Sequence, residues 1–205
     1  MAKSSKQWLR RHVTDPYVRK AKEKGYRSRA AFKLMEIDER ERVLRPGATV
    51  VDLGAAPGGW SQLAAERVRP GGRVVAIDLL PIAPISGVTV LKGDFRDPAV
   101  LNALGGARAD VVLSDLAPNL SGIGNIDQAR SLSLAEGAID FCGRALKPEG
   151  VFVVKAFHGE AFDDLMKRLK EAFRKVKVVK PGASRGESSE TYLVARGLLC
   201  SAKTA

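Results

Sequence analysis

Apolar runs and amphipathic segments alternate over most of the chain. Short apolar runs, typical of buried strands, fall at residues 48–53, 73–78, 88–91, 110–114 and 150–156. Elsewhere apolar residues recur every three or four positions, which predicts helices at 28–42, 59–68, 97–104, 127–146 and 160–172. This alternation predicts an α/β fold with a mostly parallel sheet that helices cover on both faces.

The C-terminal part departs from this alternation. The strand-like runs 174–180 and 190–196 are joined by a short loop without a helix, which predicts an antiparallel hairpin at the sheet edge. Capping residues mark two helix starts: Ser28 before the first predicted helix, and Asp97, followed by a proline, before the third.

Length and composition narrow the class of protein. The 205 residues fit a single domain with a sizeable core, and no apolar run reaches membrane-spanning length. The N-terminus lacks the apolar region of a signal peptide, and the two cysteines, Cys142 and Cys200, are too few for a disulfide framework. We therefore expect a cytoplasmic monomer without a bound metal, in which Cys142 is a small core residue.

Positive charge is concentrated at the N-terminus. Residues 1–33 contain eleven Lys or Arg and two acids, so they carry +9 of the formal charge of +11. Trp8, Tyr17 and Tyr26 are interleaved with these cations, and such rings can stack on unpaired bases while the cations attract phosphates. The alternative is a solvated tail, but disordered tails are usually poor in aromatic residues. We therefore divide the chain into a basic RNA-binding arm, 1–27, and a domain, 28–205, and predict these RNA contacts: Arg10, Arg11, Lys20, Arg27 and Arg29.

A glycine-rich turn, Asp52–Trp60, follows the first predicted strand and opens a helix. Ligands of open α/β sheets bind at such crevices. The spacing of this turn does not match the Gly-x-Gly-x-x-Gly of dinucleotide sites, because Ala56 stands where the second glycine should be. S-adenosylmethionine (SAM) fits better: Asp78, 26 residues after Asp52, suits the ribose hydroxyls, and Asp94 suits the adenine amino group.

Several segments resemble the FtsJ/RrmJ family of RNA ribose 2′-O-methyltransferases: residues 27–34, 52–62, 93–97, 114–119 and 153–155. The resemblance implies a Rossmann-like methyltransferase fold, with a seven-stranded, mostly parallel sheet whose last strand is antiparallel. It implies SAM contacts by Gly58, Trp60, Asp78, Asp94 and Asp115, to which we add from the same motifs Asp52, Gly54, Gly59 and Phe95. It places the family's catalytic set on Lys33, Asp115, Lys155 and Glu190.

The chemistry of methyl transfer gives each of these four residues a role. The SAM methyl group is already a good electrophile, so the enzyme must align oxygen, methyl and sulfur and remove the proton of the hydroxyl. Lys155, at the end of a predicted buried strand, is the candidate base, and its environment must favour the neutral amine. Asp115 and Lys33 would position it and the hydroxyl, and Glu190 would contribute least.

The substrate follows partly from the residues and partly from the resemblance. The basic arm favours a polyanion, and a ribose 2′-hydroxyl is found in RNA and not in DNA. Relatives act on ribosomal RNA, transfer RNA or messenger caps. The chain resembles the bacterial ribosomal type, which implies that the target is a uridine of the 23S rRNA A-loop in the assembled large subunit. Two other classes stay open, a non-catalytic RNA-binding assembly factor and a nicotinamide-dependent oxidoreductase.

Two features bear on how this substrate is held. Glu187 stands in the loop before Glu190, where relatives are more basic, so more of the binding should fall to residues 1–33. We expect deletion of residues 1–24 to weaken RNA binding and its salt dependence while SAM affinity stays intact.

Overall fold

The structure of the chain is a computed structural model that describes residues 15–118, 121–122, 124–184 and 188–199. The helices are α1 (Pro16–Glu23), α2 (Ala30–Glu41), α3 (Gly59–Arg67), α4 (Pro98–Ala103), α5 (Gly124–Ala145) and α6 (Glu160–Ala172). The strands are β1 (Thr49–Leu53), β2 (Arg73–Asp78), β3 (Val88–Lys92), β4 (Ala109–Ser114), β5 (Leu146–Phe157), β6 (Phe173–Val179) and β7 (Glu190–Leu198). The predicted alternation is confirmed.

The seven strands form one sheet in the order β3-β2-β1-β4-β5-β7-β6. Strands β1 to β5 pair in parallel, whereas β7 runs antiparallel to both β5 and β6. The predicted antiparallel pair is therefore confirmed, but β7 lies inside the sheet and β6 alone forms that edge. The chain reverses its direction of winding between β1 and β4, which is where a Rossmann-like sheet opens its ligand crevice.

Helices cover both faces of the sheet. Successive residues of each central strand point to opposite faces, so each strand contributes side chains to both layers of the core. Val51 packs in a cluster with Phe141 and Cys142 of α5, and Val50 packs in another with Leu34 of α2. Cys142 is fully buried, as predicted, and Cys200 lies outside the described residues. The two-layered core holds the carboxyl ends of β1 to β5 at one edge of the sheet.

Helix α1 is an addition to the predicted elements. Its N-cap, Asp15, accepts a hydrogen bond from the Tyr17 N–H at 3.0 Å, and Pro16 occupies the first helical position. Asp97, which was predicted as a cap, does the same for α4 by accepting from the Ala99 N–H at 2.8 Å. The Asp-Pro signal therefore marks both helices, and it was available for α1 as well.

The described aromatic residues of the arm pack inward, contrary to the expectation that they stack on bases. The rings of Tyr17 and Tyr26 lie 5.6 and 5.7 Å from the ring of Phe32 on α2. Ala21 of α1 is buried in the same cluster together with Ala183 of the β6–β7 loop. Trp8 lies outside the described residues. Helix α1 therefore joins α2 to the loop that precedes β7.

The predicted cap of α2 is wrong. The residue at the N-cap is Arg29, and it makes no side-chain capping hydrogen bond. The hydroxyl of Ser28 lies instead against the start of α3, where a Cβ placed on Gly59 would be 2.3 Å from Ser28 Oγ. A side chain at position 59 would displace this hydroxyl, so the glycine allows the chain before α2 to lie close to the glycine-rich turn.

Candidate active site

A cleft of about 500 Å³ opens at the carboxyl ends of β1 to β4. Five of the residues predicted to bind the cofactor line it: Gly54, Asp78, Asp94, Phe95 and Asp115. Parallel strands bring these residues together because their carboxyl ends meet at one edge of the sheet. The cleft is thus bordered by three carboxylates that come from three different strand ends.

The glycine-rich turn forms one wall of this cleft. Gly58 has φ +107°, a conformation that side chains rarely adopt, and a Cβ there would lie 2.5 Å from Ile85 Cδ1. The Arg27 guanidinium fastens the adjoining 79–86 loop by donating to the carbonyls of Ala83 and Pro84, each at 2.6 Å. It also donates to the Pro57 carbonyl at 3.3 Å, so Arg27 ties the turn to the loop.

Asp52 lies beneath the turn and is almost completely buried. Its Oδ2 accepts from Ser61 Oγ at 2.6 Å, while its Oδ1 is buried without a hydrogen-bond partner among the described residues. Burial is the main cause that raises the pKa of Asp52 to about 7, and the nearby carboxylates of Asp115 and Asp78 add to it. A cationic ligand above the turn would offset this unfavourable charge.

Asp78 and Asp94 are held in different ways. Asp78 accepts main-chain hydrogen bonds from Ala56 and Leu80, both at 2.8 Å, and its carboxylate still has lone pairs for ribose hydroxyls. Asp94 is gripped by Arg96, whose Nη2 lies 2.6 Å from Oδ2, and this hydrogen bond lowers the pKa of Asp94. Sequence reasoning missed Arg96, which shares the carboxylate that adenine would use.

Trp60 faces away from the cleft. Its side chain is buried, its indole N–H donates to the Ala30 carbonyl at 2.8 Å, and its ring packs 5.6 Å from the ring of Tyr192. Any cofactor contact of Trp60 must therefore come from its main chain. The indole instead joins α3 to α2 and β7.

Lys155 and Asp115 meet beside the cleft. Lys155 lies on β5 and is only 7% exposed, and its Nζ lies 3.2 Å from Asp115 Oδ1. The same Nζ donates to the Asp115 main-chain carbonyl at 2.7 Å. Two contacts to one residue fix the position of the amine at the border between the cofactor cleft and β7.

Lys33 and Glu190 form a second ion pair near the Lys155 amine. Lys33 Nζ lies 2.6 Å from Glu190 Oε1, and their side chains are 14% and 12% exposed. Burial pushes the pKa of Glu190 upward, but Lys33, Lys155 and a hydrogen bond from Ser184 outweigh it, so the pKa is lowered. Glu190 is therefore ionised at neutral pH. All four predicted catalytic residues lie in one cluster.

Tyr192 completes this cluster, and sequence reasoning missed it. Its hydroxyl donates to Asp115 Oδ1 at 2.8 Å and lies 3.3 Å from Glu190 Oε1. A signal was present, because residues two apart on a strand share a face and Tyr192 follows Glu190 by two. This signal was missed because the residues that follow Tyr192 are apolar, and a tyrosine in an apolar strand usually indicates a core residue.

The family model described as FtsJ-like methyltransferase matches residues 26–198. The chain belongs to this FtsJ-like family. A protein from an Azoarcus species, named Ribosomal RNA large subunit methyltransferase E, is 56% identical over 94% of this chain and 96% of its own length. The cluster of predicted catalytic residues and the cleft therefore lie within the part of the chain that the family model matches.

Two solved structures place the fold. A ribosomal RNA methyltransferase from Plasmodium falciparum superposes with a TM-score of 0.76 at 28% identity, covering 85% of this chain and 99% of that one. Aeropyrum pernix fibrillarin in complex with S-adenosyl-L-methionine superposes with a TM-score of 0.59 at 16% identity, covering 83% of this chain and 75% of that one. The expected Rossmann-like methyltransferase fold is confirmed.

The predicted RNA contacts of this FtsJ-like chain differ in their surroundings. Arg10 and Arg11 lie outside the described residues, as does Glu187 in the last loop. Lys20 is exposed on α1, and its Nζ lies 5.5 Å from the centre of the Phe32 ring. Arg29 is paired with Asp15 and donates to the Ala183 carbonyl, while Arg27 holds the cleft loop as described above. Both guanidiniums therefore already have structural partners.

None of the described helices has the length and apolar character needed to cross a membrane. No group of three or more histidine, cysteine or acidic side chains within the described ranges has a geometry that could hold a metal ion.

Proposed function

We propose that this chain transfers a methyl group from SAM to the ribose 2′-hydroxyl of a uridine in the 23S rRNA A-loop. We propose that it acts as a monomer, in the cytoplasm, on the assembled large ribosomal subunit. The observation that carries the proposal is the cluster of Lys33, Glu190, Asp115 and Lys155 beside a cleft bordered by carboxylates. The name of the Azoarcus relative supports ribosomal RNA as the substrate class.

The residues around the cleft fit SAM as the methyl donor. SAM carries a positive sulfonium and an ammonium, and the cleft offers Asp78, Asp94 and Asp115, with the partnerless Oδ1 of Asp52 beneath the turn. When bound, SAM supplies a methyl group on a sulfonium. A deprotonated hydroxyl can take this methyl group, with the sulfur as the leaving group. No phosphate-binding glycine pattern is present in the turn, which disfavours a nicotinamide dinucleotide.

In this proposal the catalytic residues position the hydroxyl and take its proton. Lys155 is the proton acceptor, because its amine lies beside the cleft, where it contacts Asp115, one of the lining residues. Asp115 holds Lys155 through two contacts, and Lys33, kept in place by Glu190, faces the incoming ribose. Alignment and proton removal together supply the catalysis that an in-line transfer needs.

The described half of the basic arm supports an RNA substrate. Its helix α1 turns Tyr17 and Ala21 inward, while Lys20, Lys22 and Lys24 are exposed. Exposed cations on a helix that is fixed near the active site can attract phosphates and guide RNA towards Lys33. We propose residues 1–27 as the RNA-binding arm and 28–205 as the catalytic domain.

The test uses large subunits from cells that lack this protein. Purified protein and labelled SAM are added, and mass spectrometry maps the methylated nucleotide. We expect a single 2′-O-methyluridine in the A-loop, strong loss of transfer with Lys155→Ala, and normal transfer with Lys92→Ala, which removes an exposed strand-end lysine. Tight subunit binding without transfer would indicate a non-catalytic assembly factor, and a normal rate and pH profile for Lys155→Ala would overturn the assignment of the base.

A further inference from the structure

Tyr192 occupies a central place in the catalytic cluster. It is the third residue of β7, directly opposite Lys155 in the register with β5, and it is completely buried. The Trp60 ring packs 5.6 Å from its ring, and Lys33 Nζ lies 5.9 Å from the ring centre. Three separate elements thus fix this side chain, so its hydroxyl has little freedom to move.

The hydroxyl lies between two ion pairs. It is 2.8 Å from Asp115 Oδ1, which also pairs with Lys155, and 3.3 Å from Glu190 Oε1, which also pairs with Lys33. A phenol has one proton, and the shorter distance assigns it to Asp115. Glu190 Oε1 already has other donors, since Ser184 Oγ lies 3.1 Å away in addition to Lys33.

The phenol stays neutral at any pH at which the protein would be assayed. Burial is the largest cause that raises the pKa of Tyr192 well above 10, and the carboxylates of Asp115 and Glu190 raise it further. Tyr192 is thus excluded as the base that takes the ribose proton. It acts as a hydrogen-bond donor whose acceptor is the carboxylate that holds Lys155.

We propose that Tyr192 is a positioning residue for methyl transfer, which orients Asp115 and weakens the hold of that carboxylate on the Lys155 proton. The proposal rests on the methyl-transfer function proposed above. Both Tyr192 and Lys155 contact the same oxygen, Asp115 Oδ1. A hydrogen bond from the phenol therefore reduces the negative charge that this oxygen presents to the amine. Without the phenol, the carboxylate binds the ammonium more strongly and the neutral amine becomes rarer.

The test compares Tyr192→Phe with wild type by single-turnover methyl transfer to unmodified large subunits over a range of pH. We expect the rate to fall about tenfold at neutral pH, since hydrogen bonds to charged groups are among the stronger ones. The rising limb of the pH–rate profile should move to higher pH, while SAM affinity and subunit binding stay the same. Thr191→Val is the matched control, because it removes a neighbouring buried hydroxyl on β7 that donates to the Val179 carbonyl at 3.1 Å and not to this cluster.

A second substitution covers the case in which Tyr192→Phe is unstable. Replacing Tyr192 by 3-fluorotyrosine keeps the size of the ring and makes the phenol a stronger donor, so the rising limb should move to lower pH. Opposite shifts for the two substitutions support the proposal. An unchanged profile in both, or a loss of rate that tracks thermal stability without a shift, overturns it. If the wild type transfers no methyl group, the proposed function itself fails, which is a separate outcome.

Discussion

Asp52 should couple the stability of the protein to pH. It is 1% exposed, and burial is the main reason that its pKa rises from 3.8 to about 7. Because the folded-state pKa is raised, the bound proton stabilises the fold fully below pH 3.8, and this stabilisation is lost as the pH rises through about 7. These two values give a fall of about 3 kcal/mol in the free energy of unfolding between about pH 5 and about pH 8.

The perturbation is Asp52→Asn, which keeps the shape of the side chain and removes its charge. The assay is urea unfolding without SAM at several values of pH. The variant should gain stability relative to wild type by about 3 kcal/mol between about pH 5 and about pH 8, whatever constant offset the amide introduces. This relative measurement separates the titration from the packing effects of the substitution.

The control is Asp110→Asn. Burial raises the pKa of Asp110, but hydrogen bonds from Thr49 and Lys147 outweigh it, so its pKa is lowered. A carboxylate with a lowered pKa stabilises the fold at any pH above its unfolded-state pKa. This stabilisation is lost only as the pH falls through the folded-state pKa. Asp110→Asn should therefore cost stability equally at about pH 5 and about pH 8.

The same titration should appear in SAM binding. A cationic ligand favours the ionised form of Asp52, so binding to wild type should release a proton and weaken as the pH falls below about 7. The Asp52→Asn variant should bind SAM more weakly and without this pH dependence. A stability difference between variant and wild type that is equal across the range would refute the reasoning, because Asp52 would then titrate as an exposed carboxyl does.

Three further predictions concern the arm, the cleft loop and the second ion pair. Deletion of residues 1–14 removes four cations but spares α1, so the salt slope of subunit binding should fall by up to about 3 with no change in single-turnover rate. Deletion of residues 1–24 should lower the single-turnover rate as well. Equal single-turnover rates for the two deletions would contradict a supporting role for α1. Arg27→Lys cannot span three carbonyls, so the SAM dissociation constant should rise about fivefold in calorimetry while the salt slope of subunit binding stays unchanged; the reverse result would make Arg27 a phosphate contact. Glu190→Gln breaks a buried pair and should cost about 3 kcal/mol in urea unfolding at neutral pH, with the loss shrinking in acid as the pH falls through the lowered pKa, and should slow transfer less than Lys155→Ala does.

Periodicity was enough to predict the architecture, because the core and the local pattern agree. The runs that end at Leu53, Asp78 and Ser114 are buried strands in the structure, and their ends meet at the cleft. Local rules failed where one residue serves a distant partner. Ser28 looks like a cap, yet its hydroxyl packs against the backbone at Gly59, and no local signal reports that contact.

Long-range hydrogen bonds account for most of what the sequence could not predict. Arg29 reads as an RNA contact because its neighbours are basic, but it donates to the Ala183 carbonyl, 154 positions away. The Glu36 carboxylate likewise accepts from the Ala183 N–H at 3.0 Å. These contacts depend on the folded arrangement of α2 and the β6–β7 loop, which periodicity does not encode.

One helix therefore connects the arm to the cluster that we propose as catalytic. Arg29, at the N-cap of α2, and Lys33 and Glu36 within it follow one another at spacings of four and three, so they lie on one side of this helix. The outer two hold the β6–β7 loop at Ala183, and the middle one pairs with Glu190 at the start of β7. Since Asp15 of the arm pairs with Arg29, this face of α2 connects the arm to the loop beside Glu190. The side that we propose for the ribose is thus built from residues of α2 and β7, whereas the side that we propose for SAM is built from the ends of β1 to β4. Asp115 and Tyr192 join the two sides.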